Sequence, residues 1–267
     1  MCLRKPFSRP AVNILYQSME QGKYYTGTSG LLLPVPNKEH YPQEFKEKSR
    51  LCYYGSLFNT LEINSSFYKV PMSSTVAKWT SDVPANFKFT FKLFREITHN
   101  KELVFNWDAV KDFITRVDAA GDKKGCLLIQ FPGSIRPVHV KQLEQLITSI
   151  VEADQQRQWK AAIEFRHQSW YTQDTYDLLD HYGIGLVLHD KLIAGGSLIE
   201  SAANFVYVRF HGPGGNYRGS YSSDFLYEYA SYIKEWLLEG KEVYSYFNNT
   251  MGNAIDNLKE LRSYVLS

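Results

Sequence analysis

Residues 205–211 read F-V-Y-V-R-F-H, and their apolar and polar side chains alternate. Successive side chains of a β-strand point to opposite faces of the sheet, so the alternation predicts a strand with one apolar and one polar face. The apolar face holds Val206, Val208 and Phe210, and the polar face holds Tyr207, Arg209 and His211. The segment that follows, 211–221, contains four glycines. The stretch therefore predicts a β-strand that presents polar side chains at its carboxyl end, beside a glycine-rich loop.

Seven further runs rich in β-branched or aromatic residues occur along the chain. They span residues 24–29, 61–65, 87–92, 126–131, 161–166, 185–190 and 243–249. Helical patterns lie between most of them, near 44–51 and over 74–82, 109–120, 138–153, 172–181, 224–239 and 254–265. Eight strands that alternate with helices are typical of a TIM-type (β/α)8 barrel. The fold class predicted is therefore α/β, with one barrel domain.

A doubly wound open sheet is the rival architecture. Such a sheet normally carries a G-x-G-x-x-G turn after its first strand, and here that turn is T-G-T-S-G at 26–30. We place the barrel domain at 23–267 and treat 1–22 as an N-terminal extension. The sixth connection, 191–204, is short, so we expect its helix to be reduced.

Composition excludes several classes of function. Lys and Arg together number 30 and Asp and Glu 28, a net charge of +2, so nucleic acid is not an expected partner. No run of about 18 apolar residues is present, so we expect no membrane contact. The three cysteines, Cys2, Cys52 and Cys126, are widely spaced, and no long apolar run follows the N-terminus. We therefore expect a cytoplasmic protein; its oligomeric state stays open.

Charged residues share the polar phase of several predicted strands. They are Glu62, Lys92, Glu164, Arg166 and Arg209. Burying them together is costly unless they pair with one another or bind a ligand. A self-contained ion-pair network is one outcome. Because barrel enzymes build their sites at the carboxyl ends of the strands, we instead predict that these residues and Asn248 converge on one cavity there.

The function predicted is that of an enzyme, a hydrolase or isomerase, which acts on a small anionic substrate such as phosphate or a sugar phosphate. General acid/base chemistry is assigned to Glu62, Glu164, His189 and His211. The cations Lys92, Arg166 and Arg209 hold the anion, with Arg218 and the 211–221 loop as further oxyanion donors. The full set of predicted binding residues is Asn64, Lys92, Gln130, Arg166, Asp190, Tyr207, Arg209, Tyr217, Arg218, Tyr221, Tyr246, Asn248 and Asn249.

Other functions remain open. His189, Asp190 and His211, with the two glutamates, could bind a divalent metal in a phosphoester hydrolase of the endonuclease-IV or sugar-isomerase barrel type. No H-x-H or H-E-x-x-H motif supports this, so no metal or other cofactor is assigned. A barrel that binds a ligand without catalysis is a further alternative. A glycosidase is disfavoured because its two carboxylates usually lie on strands four and seven.

Several strings resemble one known family. They are G-T-S-G at 27–30, F-N-T-L-E-I-N-S-S-F-Y at 58–68, F-x-F-K at 89–92, E-F-R-H-x-S-W at 164–170, L-H-D at 188–190, V-R-F-H-G-P at 208–213, Y-R-G-x-Y at 217–221 and Y-F-N-N at 246–249. The chain resembles domain of unknown function 72, also called YecE-like, from about Tyr24 to its end. The resemblance implies a TIM-type barrel and supplies no reaction. The family commonly has an aromatic residue after G-T-S-G, where this chain has Leu31.

Overall fold

The computed structural model describes residues 22–190 and 202–267. Its strands are β1 (Tyr24–Thr28), β2 (Thr60–Ile63), β3 (Lys88–Lys92), β4 (Lys124–Gln130), β5 (Lys160–Glu164), β6 (Gly185–His189), β7 (Phe205–Phe210) and β8 (Glu242–Phe247). Its helices are α1 (Arg50–Leu57), α2 (Ser73–Ser81), α3 (Arg95–Thr98), α4 (Trp107–Val117), α5 (Val140–Ala153), α6 (Gln173–Tyr182), α7 (Ser223–Leu238) and α8 (Ala254–Leu266). Short 3-10 turns join several of these elements.

The strands form one parallel sheet in the order β1-β8-β7-β6-β5-β4-β3-β2. A bridge between Ser29 and Glu62 brings β1 beside β2, so the sheet is a nearly closed barrel. The predicted TIM-type barrel is confirmed, and each strand end lies within two residues of its predicted position. The first helix begins later than predicted, at Arg50, because the Ser49 hydroxyl caps it by accepting from the Cys52 N–H at 3.0 Å.

Two side chains close the seam between β1 and β2. Asn59 accepts a hydrogen bond from the Thr26 N–H at 2.9 Å and donates to the Tyr24 carbonyl at 2.8 Å. The Tyr54 hydroxyl, fully buried, accepts from the Thr28 N–H at 2.7 Å and donates to the Thr60 carbonyl at 3.0 Å. These bonds satisfy backbone groups that a regular strand pair would otherwise pair.

We expect Tyr54→Phe to lower the free energy of unfolding by about 1–3 kcal/mol, because the buried Thr28 N–H loses its acceptor. The measurement is denaturant unfolding, with Tyr227→Phe on the exposed face of α7 as the control for loss of a phenol hydroxyl. Equal stability of the two variants would show that the seam does not depend on this bond.

The alternation predicted from the sequence separates two apolar cores. Val206, Val208 and Phe210 belong to the larger one, between the strands and the helices. The smaller core fills the barrel and includes Tyr207 and Tyr246. The Tyr246 hydroxyl lies 2.7 Å from the Thr60 hydroxyl and 2.6 Å from that of Thr90, all three groups being buried. This layer forms a floor beneath the charged residues at the mouth.

Residues 1–21 of the proposed extension and 191–201 of the sixth connection lie outside the described residues, so both predictions stay predictions. In the described part of the chain, none of the helices has the length and apolar character needed to cross a membrane.

Candidate functional site

Arg209, near the end of β7, lies at the centre of the barrel mouth with 1% of its surface exposed. Its Nε and Nη2 donate to the two carboxylate oxygens of Glu62, at 3.0 and 2.7 Å. Its Nη1 donates to Oε2 of Glu164 at 2.5 Å. Strands 2, 5 and 7 thus meet through a single guanidinium group, and the charges of all three residues are buried.

The two carboxylates are held in their ionised form. Burial raises the pKa of the Glu62 carboxyl, but the charge and hydrogen bonds of Arg209 outweigh burial and place that pKa below its ordinary value. The pKa of Glu164 is likewise lowered, because Arg209 and Arg166 together outweigh the cost of burial. Both carboxyl groups are therefore ionised at neutral pH, and an ionised carboxylate has no proton to donate.

Glu62 is also surrounded by hydroxyl donors. The Tyr207 hydroxyl donates to its Oε2 at 2.5 Å, and the Ser29 hydroxyl donates to its Oε1. Asn64 Nδ2 donates to the Ser29 oxygen at 2.6 Å. The hydrogen-bond partners of the Glu62 carboxylate are therefore buried side chains of the barrel. Among Glu62, Ser29, Tyr207 and Asn64, the most exposed residue is Asn64.

Arg166, just past the end of β5, links this network to the mouth. Its Nε lies 2.5 Å from Oε1 of Glu164, and its Nη2 lies 3.2 Å from Nε2 of His211. The Arg166 side chain is 17% exposed, against 2% for that of Arg209. Arg166 is therefore the guanidinium group that a ligand can reach.

The contacts of His211 define its protonation. Its Nε2 faces Arg166 and also Nη1 of Arg209 at 3.3 Å, and guanidinium groups only donate. Nε2 must then accept, and the ring proton lies on Nδ1, which is 3.0 Å from Oδ1 of Asp190. Burial lowers the pKa of His211, against the hydrogen bond to Asp190. His211 is thus a neutral imidazole oriented by a carboxylate.

Asp190 also ties the glycine-rich loop to the site. Its Oδ2 accepts from the His211 backbone N–H at 2.8 Å and from the Tyr221 hydroxyl. The Tyr221 oxygen in turn accepts from the Gly212 N–H at 2.5 Å. Both ends of the 211–221 loop are therefore anchored on one carboxylate.

His189 is the second neutral imidazole. Its Nε2 lies 3.3 Å from the Phe165 carbonyl, which can only accept, so Nε2 carries the proton. The Tyr171 hydroxyl lies 3.3 Å from the same nitrogen. Burial lowers the pKa of His189 to about 4. Its Nδ1 has no hydrogen-bond partner among the residues described, and a buried polar atom in that state is commonly completed by a ligand or water.

Lys92 ends β3, which is separated from β5 by β4 alone, and it is half-buried. Its Nζ donates to Oε1 of Gln130 at 2.7 Å and lies 4.2 Å from the centre of the Phe67 ring. The His99 ring packs edge-on against Phe67 with 4.7 Å between ring centres. Burial and the Lys92 charge lower the pKa of His99 to about 4, a sign of positive potential at this side of the mouth.

Other predicted site residues take different positions. Asn249 bonds to the Gly219 carbonyl and to Asn257, both at 3.1 Å, and so supports the loop. Arg218 is exposed, and the Tyr217 ring packs against His211 with 5.8 Å between ring centres. Asn248 is half-buried beyond the end of β8. A binding role for these residues stays a prediction.

A metal could draw on His189, Asp190 and His211, whose potential ligand atoms lie within 4.8 Å of one another. The donors are already engaged: Asp190 accepts three hydrogen bonds, and two guanidinium groups face Nε2 of His211. A cation here would have to displace protons next to two fixed positive charges, so the arrangement fits a hydrogen-bonded pair better than a metal centre.

The sequence did not identify four residues of this site, which are Phe67, His99, Tyr171 and Ser29. Ser29 is the one that donates to Glu62. Phe67 ends the 3-10 turn after β2, and His99 directly follows α3, so no period-2 pattern applies to either residue. Their position after inward-facing strand ends was a signal available for both.

The fold and this buried polar mouth define a TIM-type barrel protein with a candidate site at the carboxyl ends of its strands. The family model described as "Protein of unknown function DUF72" matches residues 25–266, and the chain belongs to this family. The UPF0759 protein YunF of Bacillus subtilis is 26% identical over 253 residues, which are 83% of this chain and 88% of YunF.

Solved structures show the same barrel fold. A DUF72 family protein of Thermotoga maritima is 25% identical and superposes with a TM-score of 0.67, over 92% of this chain and 100% of that one. A family 2 AP endonuclease of Brucella melitensis superposes with a TM-score of 0.57 at 12% identity, over 91% of this chain and 99% of that one, and shows a similar fold.

Proposed function

We propose that this protein is an enzyme that binds a small anionic substrate at the barrel mouth and uses His211 as its general base and acid. The observation that carries the proposal is the Asp190–His211–Arg166 array. In it a carboxylate orients a neutral imidazole, and a partly exposed guanidinium group faces the lone pair of the imidazole's Nε2. A base held in the correct tautomer next to an anion-binding cation is a recurring feature of proton-transfer sites.

Arg166 and Lys92 are the cations available to the substrate. Arg209 is enclosed by Glu62 and Glu164, so its role is to hold strands 2, 5 and 7 in register around the site. Arg166, Lys92 and Arg209 outnumber these two carboxylates. The Asp190 carboxylate accepts hydrogen bonds from the His211 backbone N–H and the Tyr221 hydroxyl of the 211–221 loop. The accessible edge of the mouth therefore attracts an anion such as phosphate or carboxylate.

Binding of the anion also activates the base. When Arg166 turns to the substrate, Nε2 of His211 loses a competing donor and gains a negative neighbour. Both changes raise the pKa of the imidazole and favour proton uptake. The Asp190 carboxylate then stabilises the imidazolium, which returns the proton at another substrate atom. The same step serves an isomerase, by removing a proton from carbon, or a hydrolase, by activating water.

We expect Arg166→Met to weaken phosphate binding about 10- to 100-fold, since it removes a charge-assisted hydrogen bond. The measurement is calorimetric titration with inorganic phosphate. Arg116→Met, on the surface of α4, controls for the loss of one positive charge. Arg218→Ala tests the loop separately.

NMR titration of the His211 ring provides the second readout. In the wild type, phosphate should raise the imidazole pKa, and in Arg166→Met it should not. An unchanged His211 signal at saturating phosphate would contradict the proposed activation. A His211→Gln variant that binds phosphate normally, with no reaction found for the wild type, would favour a barrel that binds without catalysis.

A metal-assisted phosphoester hydrolase is the second candidate, supported by the close approach of His189, Asp190 and His211. It predicts stoichiometric Zn²⁺ or Mn²⁺ in the protein purified without chelator and loss of that metal in His189→Gln. Metal content below stoichiometry in both proteins would favour the metal-independent base.

A further inference from the structure

Lys92 has the surroundings of a reactive amine. It is the last residue of β3 and shares the inward phase of Thr90, so its chain projects into the mouth. The face of the Phe67 ring lies 4.2 Å from Nζ, a cation–π contact that by itself favours the ammonium form, and Gln130 accepts a hydrogen bond from Nζ at 2.7 Å. In the described part of the chain its polar partner is thus an amide, and no carboxylate forms an ion pair with it.

The charges around Lys92 disfavour the ammonium form. Burial and the Arg209 guanidinium, with a smaller effect of Arg166, lower the pKa of Lys92 to about 8. Glu62 and Glu164 act in the opposite direction but are already paired with the two arginines. A desolvated lysine next to other cations is a standard means of producing a nucleophilic amine at neutral pH.

We propose that Lys92 forms an imine with an aldehyde or ketone carbonyl of the substrate. This rests on the proposed function in one respect: Arg166 holds the anionic group of that substrate. The substrate class is then a carbonyl compound with a negative charge close to the carbonyl, such as a 2-oxo acid or a phosphorylated aldehyde.

The chemistry balances without a co-reactant. The amine lone pair attacks the carbonyl carbon, and a proton moves from nitrogen to oxygen to form a carbinolamine. The C–O bond then breaks, and the oxygen leaves as water with the second nitrogen proton, so that one amine and one carbonyl yield one imine and one water. Gln130 accepts a hydrogen bond from the amine and so orients it, and Phe67 keeps bulk water from one face.

The test is reductive trapping of the full-length protein with glyoxylate and cyanoborohydride at pH 7, with the modified peptides identified by mass spectrometry. We expect Lys92 to be labelled at least ~10-fold faster than surface lysines. An amine of pKa about 8 is unprotonated roughly 200 times more often at pH 7 than an ordinary lysine, and its lower basicity offsets part of that gain.

The same strand provides a matched control. Lys88 has the same inward phase at the opposite end of β3, where its Nζ donates to the Asp122 carbonyl at 2.7 Å. Lys92→Arg should abolish the fast labelling and keep the positive charge, whereas Lys88→Arg should leave the labelling of Lys92 unchanged. Labelling of Lys92 no faster than that of surface peptides would overturn the imine proposal.

A neutral aldehyde separates the imine from the anion site. Propionaldehyde should label Lys92 only slightly more slowly in Arg166→Met than in the wild type, through the small effect of Arg166 on the pKa of Lys92, whereas glyoxylate should label the variant about tenfold more slowly. If glyoxylate labels both proteins equally fast, the amine is still the nucleophile and the role of Arg166 in the proposed function is wrong. If neither aldehyde labels Lys92 preferentially in either protein, the imine proposal is overturned.

Discussion

Arg209→Met is expected to lower the free energy of unfolding by about 3–5 kcal/mol, the cost of leaving buried charges without their partner. Glu62 and Glu164 are both fully buried, and Arg209 contacts both of them. The methionine side chain fills much of the same volume, so the loss reports on charge rather than on packing. Denaturant unfolding at pH 7 measures the effect, and Arg218→Met at an exposed site is the control.

The pH dependence identifies the cause. In the wild type, the lowered pKa values of the two glutamates stabilise the fold above about pH 4.5, and this contribution is lost as the pH falls toward the folded values. In Arg209→Met, the buried Glu62 carboxylate has no counter-charge and its pKa rises, while Glu164 keeps Arg166 as a partner, so the variant should gain stability relative to wild type on going from pH 7 to pH 5. Adding Glu62→Gln should restore part of the loss. If neither effect occurs, the network does not stabilise the fold through its charges.

The wild-type protein is expected to lose about 3 kcal/mol of stability through His189 alone as the pH falls from 6.5 to about 4. Burial holds this imidazole neutral in the fold, and the Glu164 charge and the hydrogen bond to the Phe165 carbonyl oppose burial without outweighing it. Below pH 6.5 the unfolded chain takes up a proton that the native chain does not. The stabilisation is therefore complete above pH 6.5 and decreases down to the folded pKa.

The measurement is denaturant unfolding at several pH values between 4 and 7, in the wild type and in His189→Gln. In the variant, the slope of the free energy of unfolding against pH should be smaller in this range. The reduction corresponds to the uptake of up to one proton, which is about 1.4 kcal/mol per pH unit at most. His40→Gln, at an exposed position, controls for removal of an imidazole. Equal slopes in His189→Gln and the wild type would contradict a buried neutral His189.

Part of the candidate site could be predicted from local sequence. The alternation in 205–211 and its equivalents placed Glu62, Glu164 and Arg209 inside the barrel, because the side-chain period of a strand is a local property of the backbone. That these residues act directly on substrate stays a prediction. Whether an inward charge faces a ligand or another residue depends on neighbours more than a hundred positions away, as the sequence separation of 147 positions between Glu62 and Arg209 illustrates.

The sequence by itself determined the class of fold, the approximate strand ends and the set of polar residues that share the barrel interior. These follow from hydrophobic periodicity and from glycine-rich turns, which act over a few residues. Tertiary structure alone decided which groups pair. Two glutamates enclose Arg209 while Arg166 stays accessible, and Asp190 fixes the tautomer of His211. Tyr54 and Asn59 close the seam between the first two strands. Such pairings are set by strand register and by the contacts of loops distant in sequence. Their free energy arises only when the barrel closes and water is excluded, so no local pattern encodes them.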